Sequence, residues 1–207
     1  MQPQGANPAG KRGKVTAGLS LAAVVVLVLY PLLMYFGQSR LGVTWMALIL
    51  ILICMLRLAA LRWQRAARVV GAFGTPQLLA TCGAILLALV SLWRGSSKAM
   101  LYYPVLVNAA MLLLFGSSLA FPPTIVERIA RFRHPHLPQQ ATPYLRRVTV
   151  AWCIFFVGNG AAAVYTATFA SLDTWALYNG LIAYVLIGAM FAGELLTRRR
   201  AMRGFRQ

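Results

Sequence analysis

His134 and His136 stand one residue apart in FPPTIVERIARFRHPHLPQQ (residues 121–140), and Glu127, one of only three acidic residues in the chain, precedes them. Two imidazoles so spaced can ligate a metal or move a proton. Zinc catalysis needs a third protein ligand and an acid or base beside the metal, and a histidine base needs a partner that orients it. The His-x4-Asp pattern of glycerolipid acyltransferases is missing, because Gln139 and Ala141 occupy the fifth positions after His134 and His136. Glu127 has a local use instead. Thr124 and Glu127 are spaced as a capping box, with the threonine oxygen accepting from the Glu127 amide and the carboxylate reaching back to the amide of Thr124. Glu194 precedes Arg198 by four residues, the favourable order for a helical ion pair, and Asp173 is placed to cap the last helix. No pair of carboxylates is left for a two-metal centre. Glycine-rich phosphate loops and serine nucleophile elbows do not occur either. The reading is a non-catalytic chain with no metal and no cofactor; an intramembrane acyltransferase using His134 or His136 is the chemical alternative.

The elements that carry these residues follow from composition. The 207 residues are 60% hydrophobic and 11% charged, where a soluble domain carries about a quarter charged residues. The apolar residues fall in blocks of about twenty, enough to cross about 30 Å of hydrocarbon. An all-α integral membrane protein with six transmembrane helices is predicted, with spans at 15–36, 42–61, 76–93, 99–121, 147–169 and 174–196. The first block is too long for a signal-peptide core and stays as a helix. Residues 1–14 form a disordered basic tail, 15–197 the transmembrane domain and 198–207 a second basic tail. Seventeen of the twenty Lys and Arg residues lie in 11–14, 57–68, 128–147 and 198–206, leaving Arg40, Arg94 and Lys98 for the other side. The positive-inside rule then puts both termini in the cytoplasm. Charges beside spans address anionic lipid headgroups rather than nucleic acid.

Residues 122–146 form a cytoplasmic interfacial segment. Within it, the helix begun at Thr124 puts Ile125, Val126, Ile129 and Phe132 on one side and Arg128, Arg131 and Arg133 on the other, a foot at the headgroups. Arg146 and Arg147 complete this membrane-surface basic group. Cys54, Cys82 and Cys153 fall inside spans and read as small packing residues. Tyr35, Trp45, Trp93, Tyr102, Tyr103, Trp175 and Tyr178 mark the outer boundary, and Trp152 and Trp175 bracket the fifth span near opposite interfaces.

Asn108 and Asn159 are strongly polar side chains in apolar spans, at about 13 and about 15 Å from the outer ends of consecutive antiparallel helices at about 1.5 Å per residue. An amide in hydrocarbon is costly without a partner, so the two are expected to share a polar contact inside the bundle. Gly158, Gly160 and Ala161 to Ala163 allow a neighbouring helix close. Helix glue is one reading. The other is a pocket for an apolar ligand with an aromatic wall and a polar end, drawn from Asn108, Trp152, Phe155, Phe156, Asn159, Gly160, Tyr165, Trp175 and Asn179.

The stretch WCIFFVGNGAAAVYTATFASLDTWALYNG sets Trp152, Phe155, Phe156, Gly160, Tyr165, Ala167 and Trp175 in the pattern W-x2-FF-x3-G-x4-Y-x-A-x7-W. This resembles the septation protein A family of small bacterial inner-membrane proteins, a likeness that reaches LLLFGSSLAF and RIARFRHPHLPQ upstream. Ala163 stands where that family tends to have Asn, and the family's lysine after the last Trp is absent from ALYNG. The combination of FPPTIVERIARFRHPHLP, RRVTVAWCIFF and WALYNGLIAYVLIGAMFAGELLTRRR more closely resembles uncharacterised membrane proteins encoded beside fatty-acid-synthase-like genes for aryl polyene pigments. That resemblance implies an accessory role in making or moving a lipid-like envelope product. The partners it implies are membrane lipids and cytoplasmic acyl-chain-synthesis enzymes. A transporter or flippase of that product is the alternative, with Thr81, Ser91, Asn108 and Asn159 as its candidate polar path.

Overall fold

A computed structural model describes residues 30–40, 42–64, 74–133 and 138–204. The basic N-terminal tail, most of the first expected span, the middle of the loop around 62–75, and both histidines lie outside these residues. Every element among the described residues is a helix, the form in which an apolar segment satisfies its own backbone polar groups. The chain divides into two compact units, residues 1–100 and 101–207.

In the first unit, α1 (Tyr30–Arg40), α2 (Gly42–Gln64) and α3 (Gly74–Arg94) follow one another. Gly42, at φ +67°, lets the chain turn between α1 and α2. Gly95, at φ +59°, ends α3: its N–H reaches the Leu92 carbonyl and the Ser96 N–H the Ser91 carbonyl, a Schellman closure of otherwise orphaned carbonyls. Helices α2 and α3 meet along small buried residues: Ala47 and Cys54 on one, Thr81, Ala84, Ala88 and Ser91 on the other. Cys54 is a packing residue as expected, whereas Cys82 is exposed.

A 3-10 turn (Ser97–Tyr102), at whose end the second unit begins, leads into α4 (Tyr103–Ala120), whose Pro104 sits in the first turn where its missing N–H costs nothing. The short α5 (Ile125–Arg133) and a single 3-10 turn (Gln139–Ala141) precede α6 (Thr142–Phe169). Then come α7 (Leu172–Leu177), a π-helical turn (Tyr178–Ile182) and α8 (Ala183–Gly204), which continues past the expected end of the sixth span. The buried residues of α6 are Leu145, Thr149, Trp152, Phe156, Asn159, Ala163 and Thr166. Their spacing alternates four and three, a heptad seam, and it packs chiefly on α4.

Ser97–Ala120, Gln139–Phe169 and Leu172–Thr197 are long and apolar enough to cross a membrane, and two shorter apolar stretches, Gly42–Leu56 and Ala80–Arg94, lie within the expected second and third spans. Large apolar side chains face outward on every one of these helices, among them Leu52, Leu86, Leu113, Ile154 and Val185. Water penalises such faces and lipid does not.

Several local expectations are corrected. Half of the capping box forms: the Glu127 N–H donates to Thr124 Oγ1 at 3.3 Å. The carboxylate, however, is buried and turns to Arg131, which it meets at 2.8 Å, and to the Thr142 hydroxyl. The foot helix therefore has a face in the protein, made of Ile125, Val126, Glu127 and Ala130, and sends only Ile129 and Phe132 of its apolar residues outward. Asp173 is not the cap; Ser171 Oγ accepts from the Thr174 N–H, and Asp173 sits in the first turn of α7, where a carboxylate suits the helix dipole. Trp175 and Tyr103 leave the expected aromatic belt, being buried, while Trp45 and Trp93 are exposed as a belt requires. The side chain of Arg198 lies outside the described residues, and with it the expected pair to Glu194.

Candidate functional site

The α6 seam carries, from its N-terminal to its C-terminal end, Trp152, Phe156, Asn159, Ala163 and Thr166. The order divides the second unit into an aromatic half and a polar half. At Gly160 the backbones come close: a Cβ added there would lie 3.3 Å from Asn108 Cβ. Across that gap Asn159 Nδ2 donates to Asn108 Oδ1 at 3.0 Å, so the expected contact between the two amides is present. Asn108 Nδ2 donates in turn to the Pro104 carbonyl at 2.8 Å, and the Tyr178 hydroxyl donates to Asn159 Oδ1 at 3.1 Å.

Tyr178 reaches this relay because the last membrane-crossing run widens there. The Ala183 N–H bonds the Tyr178 carbonyl five residues back, a π-type turn, at the start of which Tyr178 and Asn179 both address α6. Asn179 Nδ2 donates to Thr166 Oγ1 at 3.2 Å and to the Trp175 carbonyl at 2.9 Å. Trp175, with no exposed surface, donates its indole N–H to the Leu101 carbonyl at 3.0 Å. The half toward the C-terminal end of α6 is thus held by amide, hydroxyl and indole hydrogen bonds that join α4 and the 3-10 turn before it, α6, α7 and the π-helical turn.

Two turns toward the N-terminal end of α6, about 10 Å at about 1.5 Å per residue, the chemistry changes. Trp152 stacks at 4.8 Å on Phe191 of α8 and lies 5.7 Å from both Phe155 and Phe156. Phe115 of α4 closes the group, 5.2 Å from Phe156. These spacings are those of favourable aromatic pairs. Trp152 is 5% exposed, yet its indole N–H has no hydrogen-bond partner among the described residues. The ring cluster opens outward at Phe155, half-buried, and Phe191, 54% exposed.

Of the residues expected to line one pocket, Trp152, Phe155 and Phe156 come together. Asn108, Asn159 and Gly160 form a separate staple, and Trp175 with Asn179 another. Tyr165 joins none of them: it is 63% exposed and packs on Phe169. Phe115 and Phe191 were not anticipated, because aromatic content alone does not distinguish a ring that completes a cluster from one that faces lipid. Of the basic group, Arg131 is committed to Glu127, Arg147 is exposed, and the side chain of Arg133 lies outside the described residues. Arg128 and Arg146 are bound to backbone, Arg128 Nε to the Pro123 carbonyl at 2.9 Å and Arg146 Nη1 to the Leu119 carbonyl at 3.1 Å.

Comparison with protein-family models, with curated proteins and with solved structures finds no match for the chain.

Proposed function

We propose that this chain is a six-span protein of a bacterial inner membrane, with both termini in the cytoplasm, and that its second unit binds a lipid-like envelope product rather than transforming it. The observation that carries the reading is the indole N–H of Trp152. This donor lacks an acceptor among the described residues and sits in a ring cluster that is open at Phe155, half-buried, and Phe191, 54% exposed. An extended apolar molecule bearing a hydrogen-bond acceptor, such as a carbonyl, ester or ether oxygen, would stack along the rings and satisfy that donor. The amides Asn108 and Asn159, by contrast, already hold each other, which makes them helix glue. An aryl polyene pigment is the product toward which the sequence resemblance points, and cytoplasmic acyl-chain enzymes would supply it.

Transport is the weaker reading. A path for a polar group would need unengaged polar side chains through the full thickness, and in the second unit those on the seam are committed, Asn159 to Asn108, Thr166 to Asn179 and Thr149 to the Leu145 carbonyl.

Two experiments test the proposal. Reporters fused after residues 96 and 172 should report the outside, and those after 138 and 205 the cytoplasm; one reversed site would break the six-span arrangement. A photoreactive phenylalanine at position 191 should capture a small lipid-like species in cells, while the same group at position 185, on the outward face of α8, should capture bulk phospholipid. Identical products at the two positions would overturn the binding site.

A further inference from the structure

We infer that Arg128 and Arg146 form a discrete site for the phosphate of one anionic glycerophospholipid at the inner end of the second unit. The site rests on the proposed placement of residues 119–146 at the inner membrane surface and is independent of the ligand proposed for the Trp152 cluster.

The two arginines come from different helices, α5 and α6, and are anchored on the same short stretch that leaves α4: Arg146 on the carbonyl of Leu119 and Arg128 on that of Pro123. Each anchor uses one donor. Arg128, held through Nε, keeps both terminal nitrogens; Arg146, held through Nη1, keeps its Nε and Nη2 edge. None of these remaining donors has a partner among the described residues. Each guanidinium therefore presents a two-donor edge, the geometry that matches phosphate oxygens, with its orientation already fixed by a main-chain acceptor.

Charge does not cancel the pair. Glu127, the one acid on α5, is buried and paired with Arg131, so Arg131 is neutralised while Arg128 and Arg146 are not. Phe121 lies between the two anchoring carbonyls in sequence and is 74% exposed; Phe132, on the outward side of α5, is 81% exposed. Aromatic rings beside arginines are what the boundary between headgroup and acyl chain favours. Two guanidiniums each anchored on a main-chain carbonyl, with exposed rings on the same elements, distinguish this arrangement from a diffuse basic surface, which would attract any anionic headgroup equally through all its arginines.

The test uses the full chain in nanodiscs of phosphatidylcholine containing a minority of phosphatidylglycerol, with retained lipids read by native mass spectrometry after release. The wild-type chain should keep a phosphatidylglycerol adduct in preference to phosphatidylcholine, and Arg128→Gln with Arg146→Gln should lose it. Arg147→Gln, which removes an equally exposed charge without an anchor, should keep it. Replacing both anchored arginines by lysine retains charge and removes the fork, and should also lose the adduct. Added inorganic phosphate should not displace it. Equal losses in the Arg147→Gln variant would reduce the site to diffuse attraction, full retention in the lysine pair would remove the geometric claim, and displacement by inorganic phosphate would make it a free-anion site; each overturns the proposal.

Discussion

Trp175 and Trp152 are both buried tryptophans of the second unit, and they differ in one hydrogen bond. Trp175 gives its indole N–H to the Leu101 carbonyl and lies among donors that are answered: Asn179 to Thr166, Tyr178 to Asn159, Asn159 to Asn108. Trp152 lies among rings, and its N–H is unanswered. A donor that no residue answers, set in a cluster of rings, is available to a ligand. A satisfied tryptophan in such a place is a fastening, whereas an unsatisfied one at the edge of an open cluster is a place for something else to bind. On the proposed function, the half of the unit around Trp175 stays closed and the half around Trp152 accepts the ligand.

The contrast can be broken most strongly at Trp175. Its replacement by Ala removes a fully buried ring and should destabilise the protein in detergent or bilayer unfolding by about 3 kcal/mol or more. Trp175→Phe keeps much of the ring volume and leaves the Leu101 carbonyl without its donor, for an expected loss of about 1–3 kcal/mol. A Phe variant as stable as the wild type would show that the indole bond is not a fastening.

A double-mutant cycle with Leu at Asn108 and Asn159 should give a coupling of about 0.6–2 kcal/mol, the range for hydrogen bonds between membrane helices. Additive losses would mean that the amides act separately. The smallest expected effects come from a matched pair on α6. Gly160→Ala brings a Cβ to 3.3 Å from Asn108 Cβ and should weaken the α4–α6 contact by up to about 1 kcal/mol through crowding. Gly158→Ala meets nothing within 4 Å and should be neutral, or stabilising by about 0.5–1 kcal/mol through helix propensity. Equal effects at the two glycines would deny that Gly160 marks the close approach.

Depth was legible in the sequence and direction around each helix was not. Counting residues from the outer ends put Asn108 and Asn159 level, and the contact follows. The same counting put Trp175 at an interface without saying whether it faced headgroups or the bundle, since a preference for interfacial depth carries no angular information. The missing coordinate was present in α6: the alternation of four and three from Leu145 to Thr166 includes Trp152, Phe156 and Asn159 and leaves Tyr165 off the seam. Interactions within one helical turn were partly readable, as with Thr124 and Glu127. Arg131, the main partner of Glu127, stands at helical spacing four residues on, but the contacts of Glu127 with Thr142 and of Arg146 with Leu119 could not be read that way, because they are made by the turns between α4, α5 and α6.

The proposal that the Trp152 cluster is a binding site is tested most directly by Trp152→Phe, which keeps an aromatic ring and deletes the unanswered donor. The measurement is mass spectrometry of small molecules released from wild-type and variant protein, each purified from cells that make the envelope product. The wild type should carry an extended, oxygen-bearing lipid-like species that the variant lacks, with unfolding shifted by less than about 1.5 kcal/mol, as for a near-volume-conserving core change. A variant that retains the same species in the same amount, or a wild type that carries bulk phospholipid alone, would contradict it.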